Sequence, residues 1–400
     1  MTMPSRPPAS PPSIPAKSSR KKITLLVLLA AIAVYGAYLS IIIFTAPSPK
    51  DNSNRHLSSG GQEAVGVYHL HTRFSDGRGS VEEVVQAAKR NRLDFIILTD
   101  HGRPNYACLR SQGWRDGLLV LAGSELSTNR GHLVGLGFPD SIPPLPSKAE
   151  EAAYWVQKEG GLTVIAHPFS KTSWSWGDDN QFFTGIELLD ADTMFKKNWL
   201  ASLPIFPLLG LKPRVFVLRM IDPFFKSFEQ WDLLNQKQPP FYGFFSCDAH
   251  LFYGPLLSLF HLRVPLDKGM PAEFSEARQV IFTALKRGAF YNAVDAARPA
   301  AGFKFWAERG EERFPMGSQV GMDSEIPLFL HLEIPGQVPT TTVLIRNGER
   351  LFSSAEKKIT YEVQEPGVYR VEVYLETQTG LNPKIPWVVS NPIFLAAGKS

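Results

Sequence analysis

Side chains of the types that bind metals recur in short clusters along the middle of this chain. Six of the nine histidines in the 400-residue sequence lie in these clusters. The nine candidate ligands are His69, His71, Asp76, His101, Glu125, His132, His167, Asp248 and His250. Neutral imidazole and carboxylate are ligands of zinc, manganese and iron, and a mixed set of this size is too large for one tetrahedral ion. The sequence therefore predicts a cluster of two or three divalent ions of zinc, manganese or iron.

Four short apolar runs deliver these residues, and each run is typical of a buried strand. His69 and His71 lie in the first run, where the period of two would send both imidazoles to one side of a strand. The runs are 65–71, 94–98, 162–166 and 241–245. The last three end just before ligand residues, an arrangement typical of the C-terminal rim of a βα barrel. Helices are expected between the strands, one opened by the capping box Ser80 to Glu83 and one at 148–159.

Seven motifs follow one another in an order that resembles a known family. They are His69-Leu70-His71, Ser75-Asp76-Gly77, Thr99-Asp100-His101, Gly123-Ser124-Glu125, Gly131-His132, Ala166-His167-Pro168 and Ser246-Cys247-Asp248-Ala249-His250. The chain resembles the PHP (polymerase and histidinol phosphatase) superfamily and, within it, the branch of carbaryl-hydrolase-like metallohydrolases. The resemblance covers roughly residues 65–294. It implies an α/β fold with a distorted (β/α)7 TIM-like barrel and a metal-dependent hydrolase of the phosphoesterase type.

The resemblance also implies how the ligands divide among the ions. The first set is His69, His71, Glu125 and Asp248. The second set is His132, His167 and the shared Glu125. The third set is Asp76, His101 and His250. Asp100 would lie outside these sets and orient a ligand imidazole through its other ring nitrogen. Some relatives have His where this chain has Asp76.

Such a cluster favours hydrolysis on chemical grounds alone. Bound divalent ions lower the pKa of a water ligand to about 7 and neutralise charge that develops on a phosphoryl or acyl oxygen. The sequence has no Gly-x-Ser-x-Gly motif and no Gly-rich nucleotide loop, which argues against covalent serine catalysis and nucleotide-driven transfer. Arg73 and Arg103 directly follow ligand clusters, where a guanidinium would grip a phosphate; solvated arginines on rim loops are the equal alternative. The candidate catalytic residues are Glu125, Asp248, Asp100, Arg73 and Arg103.

The N-terminus is a different kind of segment. Residues 1–22 are rich in Pro and Ser and end in basic residues, whereas 23–44 carries no charge. As a helix this run is about 33 Å long, enough to cross a hydrocarbon core of about 30 Å. The basic residues before it predict a single-pass membrane protein with a cytoplasmic N-terminus and a periplasmic or extracellular catalytic domain. A cleaved signal peptide is the alternative, although the run exceeds the usual length of about 7 to 15 residues.

The C-terminal part changes to a strand-only pattern. Apolar residues alternate at 326–334 and 369–375, and Asn347-Gly348 is a hairpin-type turn, which together predict an antiparallel β-sandwich. The predicted domains are a disordered basic tail 1–22, a transmembrane anchor helix 23–44, a linker 45–64, the metallohydrolase barrel 65–299 and the β-sandwich 300–400.

Residues 195–231 fit the barrel pattern poorly. The segment is apolar and aromatic but is interrupted by Pro204, Pro207 and Pro213, so it cannot form a second spanning helix. One interpretation is an ordinary barrel helix with an elaborated loop. The other is a segment that lies in the bilayer surface and feeds an apolar substrate to the site.

Composition limits the partners. A net charge of +4 argues against nucleic-acid binding, and the two cysteines define no disulfide framework. The expected partners are a membrane, through the N-terminal helix, and a small-molecule phosphoester or ester-like substrate. Three functions stay open: hydrolysis of a phosphoester, hydrolysis of a carbamate, amide or carboxyl ester, and noncatalytic binding by a membrane-anchored protein.

Overall fold

A computed structural model describes residues 17–45, 63–170, 174–177, 182–223, 226–322, 325–376 and 380–397. Of the predicted disordered tail 1–22, residues 1–16 lie outside these ranges, whereas residues 17–22 lie in a helix and not in a disordered tail. Almost all of the predicted linker 45–64 also lies outside these ranges. The chain divides into two compact units, Met1–Pro47 and Ser48–Ser400.

The described part of the first unit is one helix, α1 Lys17–Thr45. Its stretch Lys21–Phe44 has a mean hydropathy of 2.5 and is long and apolar enough to cross a membrane. By length and composition the same helix also fits a signal sequence. The helix predicted over 23–44 therefore exists, and its role as an anchor is taken up below.

The second unit is a mixed α/β fold with a large sheet. Its strands are β1 Glu63–Leu70, β2 Phe95–Leu98, β3 Gly113–Arg115, β4 Leu118–Ser127, β5 His132–Leu136, β6 Leu162–Ile165, β7 Gly185–Asp190, β8 Tyr242–Ser246, β9 His261–Pro265, β10 Tyr291–Ala293, β11 Lys304–Arg309, β12 Glu312–Pro315, β13 Gln319–Gly321, β14 Phe329–Glu333, β15 Thr340–Arg346, β16 Glu349–Ser354, β17 Lys358–Glu362, β18 Gly367–Leu375, β19 Val388–Ser390 and β20 Ile393–Ala396. Its helices are α2 Val81–Arg90, α3 Tyr106–Leu109, α4 Ala149–Lys158, α5 Ala191–Ser202, the 3₁₀ turn Leu203–Ile205, α6 Leu208–Leu211, α7 Pro213–Met220, α8 Lys226–Lys237, α9 Tyr253–Leu256 and α10 Phe274–Arg287.

Seven neighbouring strands of the large sheet carry the predicted ligands or flank them. Strands β1, β2 and β4 are parallel, β5 is antiparallel to β4 and β6, and β6, β7 and β8 are parallel again. The segment after β8 returns to β1, because His71 N donates to Ala249 O at 3.1 Å and Ala249 N donates to His69 O at 3.3 Å. The C-terminal ends of the parallel strands therefore meet at one edge, where the sequence predicted the site.

Burial explains why these short runs form strands. Residues of β2, β6 and β8 are buried on both faces, as expected of parallel strands covered by helices. Ser80 is the N-cap of helix α2, and the predicted capping box is present. Ser80 Oγ accepts from Glu83 N at 3.2 Å, and the Glu83 carboxylate accepts from Ser80 N at 2.6 Å. The two cysteines, Cys108 and Cys247, are free and buried.

The aromatic segment predicted to fit poorly, 195–231, lies between β7 and β8. It forms short helices instead of one long helix, because its prolines interrupt the hydrogen-bond ladder. Pro204 lies in the 3₁₀ turn, Pro207 precedes α6 and Pro213 begins α7. Phe224 and Phe225 lie outside the described residues. We call this series of short helices between β7 and β8 the helical excursion. It takes the place of a single crossover helix and adds surface beside the edge of the sheet where the site lies.

The strand-rich C-terminal part does not begin a new sheet at residue 300. Strand β10 pairs with β9 on one side and with β19 on the other, so the large sheet continues into β18, β15, β20 and β13. A second sheet has the order β12-β11-β14-β17. The ring of Tyr361 on β17 lies 5.5 Å from that of Phe352 on β16, so the two sheets contact each other. The C-terminal part thus contributes strands to two sheets, and one of these sheets is continuous with the strands of the site.

Polar side chains join the C-terminal strands to β8. Asn391 Oδ1 accepts from Gly243 N at 2.8 Å, and Asn391 Nδ2 donates to Phe290 O at 3.1 Å. Arg370 on β18 donates to both carboxylate oxygens of Asp232 on α8, at 2.8 and 2.7 Å. The C-terminal strands therefore support the strand that leads to Asp248.

Replacing Asn391 by Ala tests this support. The substitution leaves the buried Gly243 N–H without its acceptor, so we expect the free energy of unfolding to fall by about 2 kcal/mol. Urea unfolding of the detergent-solubilised protein measures the change. Asn382→Ala is the control, since the Asn382 side chain accepts only an exposed hydrogen bond from Lys384 N. Equal midpoints for the two variants would contradict the supporting role.

Candidate metal centre

The four ligands of the first implied set converge at the edge where β1, β4 and β8 meet. The ligand atoms of His69, His71, Glu125 and Asp248 all lie within 4.8 Å of one another. His71 Nε2 is 3.1 Å from Glu125 Oε2 and 3.1 Å from Asp248 Oδ1, and both distances from His69 Nε2 are 3.3 Å. Two ligands bound about 2.0–2.1 Å from a tetrahedral ion lie about 3.3–3.4 Å apart. The spacing therefore fits a divalent ion between them.

The other carboxylate oxygen of Glu125 faces a second pair of imidazoles. His132 Nδ1 lies 2.7 Å from Glu125 Oε1, and His167 Nε2 lies 2.9 Å from it. A carboxylate with imidazoles at both oxygens is placed to bridge two ions. Asp76 Oδ2 lies 3.3 Å from His250 Nε2 and 3.7 Å from His101 Nε2. All nine predicted ligands thus lie close together, and the groups overlap, because His71 also lies near Asp76 and His101 also lies near Glu125.

Several buried polar side-chain atoms in this cluster lack a hydrogen bond. Among the described residues, these side-chain atoms are His69 Nε2, His71 Nε2, His101 Nδ1, His132 Nδ1 and Asp248 Oδ1. A buried polar atom without a partner is costly, and such atoms are uncommon in folded proteins. Bound divalent ions would satisfy these imidazole nitrogens and carboxylate oxygens, which are the ligand types of zinc, manganese and iron. The residues present therefore fit the implied metals.

The backbone is strained at three of the ligands. His69, His167 and Asp248 have positive φ angles of 67°, 26° and 45°. Such backbone costs about 1–3 kcal/mol per non-glycine residue and is concentrated at functional sites. His69 also lies where the β1–β2 register shifts. His69 and His71 face one site as predicted, but a bulge at His69 rather than plain strand alternation brings them together.

The carboxylates and imidazoles shift one another's protonation. Burial lowers the pKa of His71 and of His167, but the neighbouring carboxylates outweigh burial and raise each pKa to about 9. Burial raises the pKa of Glu125 and of Asp248, yet His69 and the other imidazoles hold both pKa values below their usual range. Both carboxylates therefore stay ionised at neutral pH and provide negative charge for cations.

Glu187 on β7 is a buried site residue that the sequence reasoning missed. Its Oε1 lies 2.6 Å from His69 Nδ1, and its Oε2 accepts from His167 N at 2.6 Å. Tyr68 OH also donates to it. One carboxylate thus orients a ligand imidazole and fixes the backbone of another ligand. The sequence signal was present, because Glu187 lies inside the otherwise apolar run 185–189, where a carboxylate needs a partner.

Asp100 does not contact a ligand imidazole directly, contrary to the prediction, but reaches one through another side chain. Its carboxylate accepts from Thr72 N at 2.7 Å, Thr72 Oγ1 at 2.8 Å and Ser75 Oγ at 2.7 Å. Ser75 Oγ in turn lies 3.4 Å from His71 Nδ1. Asp100 therefore holds the loop after β1 and reaches an imidazole through Ser75, not directly.

The two arginines are not placed to grip a phosphate. Arg103 donates through Nε and Nη2 to Leu145 O, at 3.1 and 2.7 Å, and through Nη1 to Ser127 O at 2.8 Å. Arg73 is exposed and pairs with Glu83 at 3.1 Å. Arg73 therefore matches the alternative of a solvated arginine on a rim loop, whereas backbone carbonyls occupy the guanidinium group of Arg103.

A cavity lies directly beside the ligand cluster. It encloses about 440 Å³ of empty space, which includes open solvent at its mouth. Its lining residues include His167, Phe169, Glu187, Asp190, Met194 and Lys197. Lys197 Nζ, which donates to Phe169 O at 3.3 Å, supplies a cation where the arginines do not.

Asp190 is a buried carboxylic acid that lines this cavity. Its Oδ2 accepts from Ser246 Oγ at 2.8 Å, and its Oδ1 accepts from Thr193 N at 2.6 Å at the start of α5. Burial, then the charges of Asp248 and Glu187, raise the pKa of Asp190 to about 7. This carboxyl group is therefore partly protonated near neutral pH when no cation lies beside it.

Part of this chain is similar in sequence to known proteins. The family model of the PHP domain matches residues 68–160. An uncharacterized protein of Methanocaldococcus jannaschii is 30% identical over 123 residues, which cover 28% of this chain and 71% of that protein. The chain belongs to the PHP family. The matched residues contain His69, His71, Asp76, His101, Glu125 and His132. The PHP match therefore includes members of all three ligand sets.

Two solved structures also align with the PHP protein. A two-domain protein of Bacteroides vulgatus that contains a predicted PHP-like metal-dependent phosphoesterase aligns with 87% of this chain and 97% of its own, at 16% identity and a TM-score of 0.40. A metal-dependent phosphoesterase candidate of Bifidobacterium adolescentis aligns with 47% of this chain and 88% of its own, at 12% identity and a TM-score of 0.30.

Replacing Glu187 by Gln tests its positioning role in the candidate metal centre. The amide keeps the shape but loses the charge that holds His69 Nδ1, so we expect metal affinity to fall about 10- to 100-fold. Competition with a chelator measures this affinity. The matched control is Glu82→Gln on the exposed side of α2, which should bind metal as the unchanged protein does. Equal affinities for both variants would rule out positioning by Glu187.

Replacing Asp190 by Asn tests the raised pKa in chelator-treated protein. A carboxyl whose folded pKa is raised from about 4 to about 7 loses stabilisation as pH rises through that window, so ionised Asp190 destabilises the fold above it. Asn cannot ionise and still caps α5. The substitution should therefore be more stabilising at about pH 8 than at about pH 5, by more than about 1 kcal/mol. Thermal unfolding at both pH values measures this; a pH-independent effect would be contrary evidence.

Proposed function

We propose that this protein is a membrane-anchored, metal-dependent hydrolase and that its substrates are phosphoesters. The observation that carries the proposal is the convergence of nine ligand-type side chains, several with unpartnered buried polar atoms, beside a cavity. A scaffold without catalysis would have no compensation for grouping so many buried polar atoms. Membership of the PHP family supports the same class of function.

The proposed ion sites follow the three ligand sets. His69, His71, Glu125 and Asp248 would hold one ion, His132 and His167 would hold a second with Glu125, and the set around Asp76 would hold a third. When bound, such ions supply a water nucleophile at neutral pH and neutralise charge on the reacting oxygen. Glu187 orients His69, and Ser75 with Asp100 orients His71. These contacts fix the imidazoles before metal binds, which lowers the reorganisation needed for activity.

Lys197 favours a phosphoester over an uncharged substrate. Its ammonium lies at the cavity, where it would pair with a phosphoryl oxygen. The apolar lining of Phe169, Leu188 and Met194 instead suits the organic part of a substrate. That lining is also what supports the second candidate, hydrolysis of a carbamate, amide or carboxyl ester by the same metals.

The finer structural assignments are also part of the proposal. We take the seven strands from β1 to β8, without β3, as the distorted TIM-like barrel of the superfamily, because hydrogen bonds from Ala249 join its ends. The two C-terminal layers are taken as an antiparallel sandwich. The closing segment 387–393 supports assignment to the carbaryl-hydrolase-like branch.

Membrane attachment is proposed from α1. A stretch with mean hydropathy of 2.5 over Lys21–Phe44 has the length of a span, and basic residues precede it without acidic ones. By the positive-inside rule the N-terminus stays in the cytoplasm and the hydrolase lies in the periplasm or outside the cell. Cell fractionation with protease protection of intact cells tests this orientation.

The hydrolase proposal is tested by metal analysis of the full protein, followed by assays with p-nitrophenyl phosphate, bis(p-nitrophenyl) phosphate and p-nitrophenyl acetate. His167→Ala should lose about one bound ion and lower kcat at least about 100-fold, because the second ion site loses a ligand. His331→Ala is the control, since His331 stacks on Trp306 in the C-terminal sheet. If metal-replete protein hydrolyses none of the substrates and His167→Ala keeps its metal, the noncatalytic alternative replaces this proposal.

Lys197→Met separates the two hydrolase candidates. It should lower kcat/KM for the phosphoesters about 10-fold or more and leave the acetate reaction nearly unchanged. Equal losses on both substrate classes would remove the support that Lys197 gives to phosphoesters.

A further inference from the structure

An exposed apolar surface lies on the helical excursion between β7 and β8. We name it the apolar ridge and define it as Phe195, Trp199, Leu200, Leu203, Phe206 and Leu211. The last five are between 45% and 65% exposed. Large exposed apolar side chains that are concentrated in one segment mark an interaction site more often than scattered ones do.

Helix α5 has two faces with different uses. Met194, Lys197 and Asn198 line the cavity beside the metal ligands. Phe195, Trp199 and Leu203 recur at intervals of four and therefore form a separate stripe on the helix. Because the inner face already contacts the site, the exposed stripe is not required for the core.

The ridge is continuous with the rim of the metal site. The ring of Phe195 lies 6.5 Å from that of Phe252, centroid to centroid. Phe252 follows the ligand His250 by two residues and is 43% exposed, and Leu251 is 39% exposed. A ligand or surface that covers the ridge would therefore also reach the mouth of the site.

Charge distinguishes a lipid surface from an apolar protein partner. Residues 191–221 contain five basic residues, Lys196, Lys197, Lys212, Arg214 and Arg219, but a single acidic one, Asp192. Asp192 pairs with Lys196. Exposed aromatic and leucine side chains among basic residues are typical of segments that lie in the interface of anionic membranes, where Trp in particular is enriched.

Because the linker between α1 and β1 is short, weak binding of the apolar ridge to a membrane is sufficient. Residues 46–62 connect α1 to β1, and even fully extended they reach only about 60 Å. If α1 spans a membrane, the second unit stays within that distance of the lipid. A second contact on the same chain then binds at a high effective concentration.

We propose that the apolar ridge lies in the surface of an anionic bilayer and that the mouth of the metal site opens beside that surface. The proposal rests on the membrane anchoring described above. It is independent of the bond that the enzyme hydrolyses. It deepens the proposed function, because a phosphoester carried by a lipid would enter the site along the Phe195–Phe252 contact.

The test places a fluorophore on the ridge of the full-length protein. Leu203→Cys is labelled with an environment-sensitive nitrobenzoxadiazole, while the native Cys108 and Cys247 are buried. The protein is reconstituted into vesicles of phosphatidylcholine alone or with phosphatidylglycerol. We expect a blue-shifted emission that rises about twofold or more with the anionic lipid and is quenched by spin-labelled lipid tails.

The matched control is Ile326→Cys, an apolar position that is 55% exposed and lies in the C-terminal part. Its label should not respond to lipid composition. Adding Trp199→Ser and Phe206→Ser to the Leu203 variant should abolish the response, while hydrolysis of p-nitrophenyl phosphate stays unchanged. A Leu203 label that behaves like the Ile326 label, or that survives both serine substitutions, would overturn the proposal.

The outcomes separate this proposal from the proposed function. Loss of the lipid response with intact metal binding and hydrolysis refutes the ridge alone. Absence of hydrolysis with an intact lipid response refutes the hydrolase alone. Release of the protein from vesicles at high pH shows that α1 does not anchor it, and the premise of the ridge then fails as well.

Discussion

The carboxylate of Glu125 is the group on which the site depends. It is buried and ionised, with His132 and His167 at one oxygen and His69, His71 and His101 at the other. A buried charge is tolerated only where opposite charge or strong donors surround it. The strands must therefore bring imidazoles from several parts of the chain to both oxygens, and positive φ angles at His69, His167 and Asp248 are maintained by the surrounding structure.

The helical excursion after β7 gives this site its surroundings. Asp190 ends β7 and caps α5, so the position of that helix is coupled to the site edge. One face of α5 lines the cavity, and the stripe of Phe195 and Trp199 reaches the surface. The same insertion thus shapes both the space for a substrate and the surface beside it. The C-terminal strands complete the arrangement, because Asn391 holds the backbone of β8.

Much of the site was predictable because local patterns encode it. Short apolar runs that end in His or Asp identified β1, β2, β6 and β8, and the ligands at their ends lie together. Glu187 was missed because an acidic residue inside an apolar run was not weighed as a site residue. Arg103 was misjudged because sequence adjacency to His101 says nothing of which carbonyls its guanidinium meets. The prediction that Asp100 contacts an imidazole directly was wrong for the same reason, since Ser75 lies between them.

The sequence by itself determined the ligand types, the strands that carry them, the apolar N-terminal helix and the strand-rich C-terminal part. These features depend on composition and periodicity within short segments, which are local properties. Tertiary structure alone decided that Glu125 bridges two imidazole groups, that a bulge aims His69, that Lys197 rather than Arg73 faces the cavity, and that the large sheet continues past residue 300. Those features depend on contacts between residues far apart in the chain, and such contacts have no signature within any one segment.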